Sequence, residues 1–132
     1  LNKSATIERC ISRAREEYLE DPSTFGSDQT RQDAAILNIQ RACEAALDMG
    51  QHLLRTHKLG LPQSARDVFT LLEQAQWIES DLATSMKNMV GFRNIAVHDY
   101  QQLHLPIVVA IIEKHLDDFL AFTRQALLKN AS

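Results

Sequence analysis

The stretch "MVGFRNIAVHDY", residues 89–100, combines the apolar spacing of a buried helix with more polar groups than such helices usually carry. At 100° per residue, one stripe of a helix would contain Leu82, Met86, Met89, Val90 and Arg93, continued by Val97 and Tyr100. A second apolar direction contains Phe92, Ile95 and Ala96. A helix that is apolar on two sides is covered on two sides. We therefore expect the core on one side and a second copy of the chain on the other, related by twofold symmetry.

The polar residues of this stretch raise a geometric question. Arg93 and His98 are five positions apart, which places them about 140° apart on an ideal helix, too far to bind one small ligand together. Either the helix ends or bends between Asn94 and Val97, or the two side chains act on different groups. Gly91 weakens the helix beforehand, and the polar sequence "HDYQQLHLP" runs to a proline. A helix end near His98 is expected, and it would let the imidazole turn back toward Arg93.

The rest of the chain also has helical spacing. Glycines (4) and prolines (3) are few, so there is little turn chemistry for a sheet. The segment "EDPSTFGSDQT" predicts a loop. The spacing predicts helices over residues 4–19 and 29–57, a short third helix capped by Ser64, a fourth beginning at Ser80 or Asp81, and a fifth over residues 106–128. The expected fold is all-α, an up-and-down bundle of about five helices in a single domain, residues 1–132.

Composition narrows the class of protein. The net charge of −3 argues against a broad basic face for duplex nucleic acid, but it leaves room for a small site that binds a few phosphates of a single strand. Cys10 and Cys43 lack metal-site spacing and are typical of reduced cytosolic thiols. No stretch approaches 18 apolar residues, and the start "LNKSATIERC" has no apolar signal core. We therefore expect a cytoplasmic protein with no membrane segment.

A family resemblance follows from these residues. "RNIAVHDY" contains an arginine, a histidine five positions later and a tyrosine two positions after that, and it follows "MVGF". RxxxxH alone is a weak pattern, whereas RxxxxHxY after "GFRN" in an all-helical chain of this length is more specific. With the long second helix and the "GLP" turn, the whole chain resembles the HepT-like proteins of the HEPN superfamily. The resemblance implies a small all-α toxin paired with a minimal nucleotidyltransferase antitoxin.

The resemblance also implies roles for individual residues. The family consists of metal-independent endoribonucleases that work as homodimers, which implies no cofactor and no metal. Arg93 and His98 would be the catalytic pair, Asn94 a supporting group, and Tyr100 the residue that the nucleotidyltransferase silences with AMP. Histidine can serve as acid or base near neutral pH, and arginine binds phosphate oxygens in two places. Because each chain carries one motif histidine, we expect a composite site at the homodimer interface.

Two other functions stay open. The main alternative is a non-catalytic HEPN subunit that only binds a nucleotide or the nucleotidyltransferase, and the intact pair Arg93 and His98 favours the enzyme over it. The second is a plain helical dimerisation protein, which leaves the polar cluster unexplained. Without the resemblance, Tyr100 is better interpreted as an interface aromatic with a hydrogen-bonded hydroxyl.

The remaining histidines and one aspartate are weaker candidates. His104 and His115 share no metal-ligand spacing with His98 and are expected at the surface. Asp99 directly follows His98, and adjacent side chains diverge, so we do not expect it to orient the imidazole.

Outside the motif, polar side chains on the first two helices are expected on a solvated face. Gln40, Glu44 and Asp48 form a row that contacts solvent or a second copy, with a role in lining the RNA cleft left open. Arg9 and Arg13 lie one helical turn apart; they could touch RNA or an acidic antitoxin surface, but solvent is the expectation. Trp77 is expected to anchor the core or an interface.

Overall fold

The computed structural model describes residues 3–131. Leu1, Asn2 and Ser132, which the predicted domain 1–132 includes, lie outside the described residues. All the regular structure within 3–131 is helical, which confirms the all-α up-and-down bundle. The elements are α1 (Lys3–Leu19), α2 (Pro22–Phe25), α3 (Gln29–His57), α4 (Ala65–Gln74), α5 (Ser80–His98), a 3-10 helix (Tyr100–Gln102), α6 (Leu105–Lys114) and α7 (Leu116–Ala131).

Helix α3 is the centre of the bundle. α1 packs along it most extensively, and α4, α5 and α7 also contact it. Its apolar stripe is buried, as the three-four spacing of the sequence requires. At Gly50 a Cβ atom would lie only 2.6 Å from Cγ1 of Val68, so the glycine allows α4 to approach α3 closely. The buried stripe consists of Ile36, Ile39, Cys43, Ala46, Leu47, Gly50, Leu53 and Leu54.

Several predicted details are confirmed. The Ser64 side chain caps α4 by accepting a hydrogen bond from the Asp67 N–H at 3.2 Å, and α5 begins at Ser80. Cys10 and Cys43 are both free and buried. Within residues 3–131 there is no helix with the length and apolar character needed to cross a membrane.

The helix count differs from the predicted five in two places. The predicted loop contains the short helix α2, which Asp21 caps by accepting from the Ser23 N–H at 3.1 Å. The prediction of a single helix over residues 106–128 is wrong, because the helix is interrupted at His115. There the His115 carbonyl accepts from the Asp118 N–H at 3.0 Å, and its ring contacts the Asp118 carboxylate at 3.1 Å. α7 thus follows α6 without a glycine or proline at the break.

Candidate functional site

Helix α5 carries most of the motif, and it continues without interruption to His98. The Asp99 N–H donates to the Ile95 carbonyl at 2.8 Å and closes the last turn. The predicted helix end near His98 is therefore confirmed, but no bend occurs between Asn94 and Val97. Because His98 is itself helical, it keeps its separation of about 140° from Arg93. The expectation that its imidazole turns back toward Arg93 is wrong within one chain.

Arg93 is half-buried and faces α3. Its guanidinium lies close enough to the buried Cys43 thiol to affect it electrostatically. Burial raises the pKa of Cys43 to about 12, and the positive charge of Arg93 opposes part of that rise. The Arg93 Nε atom is buried and has no hydrogen-bond partner among residues 3–131.

An enclosed donor without an acceptor is unusual in a folded protein. Most buried polar atoms are paired, because leaving one unpaired costs about 1–3 kcal/mol. Arginine has five N–H donors arranged as a planar fork that matches phosphate oxygens. The side chain of Arg93 is only partly covered, so it retains a cation and donor capacity that an anion can use.

Two other predicted site residues lie in solvent. Asn94 and His98 are both exposed on α5, and His98 is the last residue of that helix. One chain therefore places a half-buried arginine and an exposed histidine on different sides of the same helix. It does not bring the predicted catalytic pair together.

Tyr100 follows α5 as the first residue of the 3-10 helix. Its hydroxyl donates a hydrogen bond to the Asp33 carboxylate at the start of α3, while 39% of the side chain stays exposed. Burial and the nearby Asp33 carboxylate together raise the pKa of Tyr100 to about 12. The sequence analysis did not select Asp33. Its partner is 67 positions away, a distance that helical periodicity does not reach.

An apolar groove lies beside the motif between α5, the 3-10 helix and α6. Its volume is about 540 Å³. Phe92 and Ala96 point into the core as the second apolar direction requires, but Ile95 is exposed. Val97 and Ile107 are 44% and 52% exposed. The outer side of α5 thus presents apolar surface that nothing within residues 3–131 covers. The groove includes Met89, Phe92, Ile95, Leu103, Ile107 and Ile111.

The residues that were weaker candidates for a functional role have ordinary surface or core positions. His104 and His115 are exposed, as predicted. Trp77 is buried, with its ring centroid 4.6 Å from that of His57, so it anchors the core. Among the described residues, no group of three or more His, Cys, Asp or Glu side chains is arranged to hold a metal ion.

The polar rows on α1 and α3 are mostly paired at the surface. Asp48 pairs with Lys3 at 3.1 Å, and Arg13 pairs with Glu16, also at 3.1 Å. Gln40 and Glu44 are half-buried and contact each other at 3.5 Å. Arg9 is exposed. Arg9, Arg13 and Asp48 are thus at the surface of the chain, and their contacts with solvent, RNA or another chain stay predictions.

The sequence and fold have clear relatives. The family described as "Ribonuclease HepT-like" matches residues 7–126. The mRNA nuclease HepT of Shewanella oneidensis is 53% identical over 122 residues, covering 92% of this chain and 91% of that protein.

Two solved structures are also close. A toxin–antitoxin crystal structure with AMP-PNP contains a chain 52% identical, with a TM-score of 0.90 and coverage of 94% of this chain and 93% of that one. A tri-AMPylated Shewanella oneidensis HEPN toxin in complex with MNT antitoxin is 52% identical, with a TM-score of 0.89 and coverage of 94% and 92%.

Proposed function

Since the chain belongs to the HepT-like ribonuclease family, we propose that it is a toxin that cleaves RNA without a metal ion and is silenced by a nucleotidyltransferase antitoxin. The observation that carries the proposal is on α5. Helix α5 carries an exposed histidine and a half-buried arginine whose Nε has no hydrogen-bond partner within residues 3–131, and nothing within those residues covers the apolar side chains on its outer surface. The relative named an mRNA nuclease makes messenger RNA the first substrate to test.

The chemistry proposed for these residues is the attack of a ribose 2′-oxygen on the adjacent phosphorus. The imidazole of His98 takes the 2′-OH proton, and a second imidazole protonates the leaving 5′-oxygen. Arg93 binds the phosphate oxygens and stabilises the charge that develops on them. Asn94, exposed beside Arg93, supports the phosphate with its amide. The products are a 2′,3′-cyclic phosphate and a 5′-hydroxyl.

Two copies of the chain are needed for this arrangement. One chain supplies one motif histidine, and that histidine lies about 140° around the helix from Arg93. A twofold homodimer through the apolar surface around Val97 and Ile107 brings two arginines and two histidines to one cleft. Burial of those exposed side chains stabilises the dimer.

Silencing is proposed to occur by transfer of AMP to Tyr100. The tri-AMPylated toxin among the relatives supports a modification of this kind. Tyr100 lies two positions after His98, so an attached AMP adds bulk and negative charge beside the cleft and competes with RNA for Arg93. Incubation with the partner nucleotidyltransferase and ATP should add AMP masses to the wild type but none to Tyr100→Phe. An unchanged mass for the wild type would contradict this step.

The first test is cleavage of labelled single-stranded RNA in EDTA. We expect the wild type to leave 2′,3′-cyclic phosphate ends and His98→Ala to be slower by about 10³-fold. His52→Ala, which removes another exposed histidine, is the matched control and should retain full activity. If neither the wild type nor His98→Ala cleaves, from protein unmodified by mass, the non-catalytic HEPN binding subunit becomes the better description.

A second test asks whether the site is shared between copies. Wild-type chains and chains that carry both Arg93→Ala and His98→Ala are coexpressed with different tags, and the mixed dimer is isolated. It contains one intact arginine and one intact histidine, both on the same chain. A shared site that needs both His98 side chains leaves the mixed dimer nearly inactive. A site within one chain leaves the mixed dimer with one working site, so it keeps a large part of the wild-type activity.

A further inference from the structure

The carboxylate of Asp33 is held against the Tyr100 hydroxyl. Tyr100 donates to Oδ1 of Asp33, and the Gln29 side chain donates to the same oxygen at 2.8 Å. Gln29 and Asp33 lie one turn apart at the beginning of α3, so the helix backbone fixes their spacing. Asp33 is exposed, and Tyr100 is partly exposed. A second reactant can therefore approach the hydroxyl while the carboxylate contacts it.

The phenol of Tyr100 is strongly protonated at neutral pH. Burial and the Asp33 carboxylate raise its pKa to about 12. Only on the order of one molecule in 10⁵ is then a phenolate near pH 7. Any group transfer to this oxygen must remove the proton as the new bond forms, and the base must be within hydrogen-bond reach.

We propose that Asp33 accepts the Tyr100 proton when a nucleotidyl group is transferred to that tyrosine, so that the chain supplies a catalytic group for its own modification. This inference rests on the proposed modification of Tyr100. The Tyr100 oxygen bonds to the α-phosphorus of a nucleoside triphosphate. The bond from that phosphorus to the oxygen bridging to the β-phosphate breaks, and pyrophosphate leaves with the electron pair. The proton moves to Asp33 and then to water.

This assignment follows the logic of other phosphoryl-transfer sites. An aspartate that accepts the hydroxyl proton of the substrate is a recurring part of such sites in kinases. Here the acceptor protein would provide that aspartate, oriented by Gln29. The modification would then be limited to a tyrosine that already has a carboxylate in contact. Tyr18, which donates to Glu113, provides an internal comparison outside the motif.

The test is the initial rate of AMP addition, measured by intact mass with the partner nucleotidyltransferase and ATP. We expect Asp33→Asn to slow the first addition by about 100-fold, and Asp33→Glu to restore most of the rate because it restores a carboxylate. Asp48→Asn is the matched control: Asp48 is exposed on the same helix and pairs with Lys3 at 3.1 Å, about 22 Å along the axis from Asp33. It should be modified at the wild-type rate.

The pH dependence separates proton transfer from simple positioning. The ratio of the wild-type rate to the Asp33→Asn rate is measured at each pH, so that titration of the partner enzyme cancels. We expect the ratio to fall as pH rises, because hydroxide and the phenolate replace the missing base. A ratio that stays constant with pH means that Asp33 only orients Tyr100, and this overturns the proposal. Circular dichroism and thermal unfolding establish that each variant is folded.

The remaining outcomes are also distinct. Equal modification of the wild type and Asp33→Asn removes the role of Asp33 and leaves the proposed modification of Tyr100 intact. Absence of any AMP mass on the wild type, with Tyr100→Phe as reference, overturns the modification itself and the role of Asp33 with it. Modification of Tyr18 instead of Tyr100, mapped by peptide fragmentation, has the same consequence.

Discussion

Two arginines in this chain are largely or partly buried and differ in the hydrogen-bond partners that the fold gives them. Arg31, at the junction of α1, α2 and α3, is only 8% exposed. Its guanidinium donates to the carbonyls of Glu17, Tyr18 and Asp21 at 2.7, 3.2 and 2.9 Å, and to the Thr24 hydroxyl at 2.8 Å. Arg93, on α5, has a buried Nε with no partner within residues 3–131.

The difference separates structural from functional use of the same side chain. Arg31 connects the end of α1 to α2 by donating to main-chain carbonyls of both segments. Arg93 has no such set of acceptors: its guanidinium interacts with the Cys43 thiol, and its Nε has no partner within residues 3–131. Because the rest of its side chain is only partly covered, the α5 region is the place to test for phosphate binding.

The largest expected effect is the loss of activity in Arg93→Met. Removing the cation should lower kcat/KM for RNA by about 10³-fold, or roughly 4 kcal/mol. The free energy of unfolding should fall by less than in Arg31→Met, because the variant loses only the interaction of the guanidinium with the Cys43 thiol, while the buried Nε has no partner within residues 3–131. Cleavage assays and urea denaturation on the same preparation check both. A loss of stability as large as the one expected below for Arg31→Met would show that both arginines mainly stabilise the fold.

Arg31→Met should show the reverse pattern. We expect the free energy of unfolding to fall by about 3 kcal/mol, because several acceptors lose their donor at once. That corresponds to a Tm lower by roughly 10 °C in a chain of this size. Calorimetry measures the shift, and the cleavage rate per folded molecule should stay near the wild-type value. An unchanged Tm would show that the junction does not depend on this side chain.

Two glycine-to-alanine substitutions compare the packed core with the α5 region, with smaller expected changes in the free energy of unfolding. Gly50→Ala places a Cβ atom 2.6 Å from Val68 in the packed core, and we expect a loss of about 1–2 kcal/mol. Gly91→Ala meets only the end of the Arg66 side chain, at 2.7 Å, which is exposed and can move. There we expect a gain of about 0.5 kcal/mol from helix propensity. Chemical denaturation distinguishes them, and a gain at Gly50 would contradict the tight contact between α3 and α4.

The smallest effect concerns the ionisation of Tyr100. The chain has 2 tyrosines. In a Tyr18→Phe variant the ultraviolet absorbance of phenolate therefore reports the ionisation of Tyr100 alone. Its pKa in the folded protein is raised to about 12, above the value of about 10 for an unfolded chain. The stability it contributes is therefore present below pH 10 and is lost as pH rises toward 12.

Asp33→Asn provides the check on that titration. It should lower the pKa of Tyr100 only in part, because burial, the larger cause, remains. An unchanged midpoint would mean that the carboxylate does not reach the phenol in solution.

The sequence predicted what depends on short spacings. The buried stripe of α3, the Ser64 cap and the start of α5 at Ser80 follow from local periodicity and capping chemistry. The break at His115 carries no glycine or proline, and Ile112, Leu116 and Phe119 keep helical spacing across it, so a single helix was the natural expectation.

The candidate site was predictable only in part. Arg93, Asn94, His98 and Tyr100 were selected by resemblance to the family, and their roles remain predictions. The contact between Tyr100 and Asp33 joins residues 67 positions apart, and the partners of Arg31 are mostly backbone carbonyls, which residue identity does not encode. The position of Cys43 beside Arg93 likewise required the packed structure. Contacts of this kind depend on tertiary packing, which periodicity does not specify.

The burial of Cys43 allows thiol alkylation to measure how often the helical bundle opens. A thiol with a pKa of about 12 and no exposed surface reacts with alkylating reagents only when the bundle opens. Cys10 is also free and buried, so the measurement uses a Cys10→Ser variant, in which alkylation reports opening of the contact between α3 and α5. The guanidinium of Arg93 interacts with the Cys43 thiol. If RNA binds Arg93 as proposed, alkylation should slow in its presence, which reports binding without a label on the RNA.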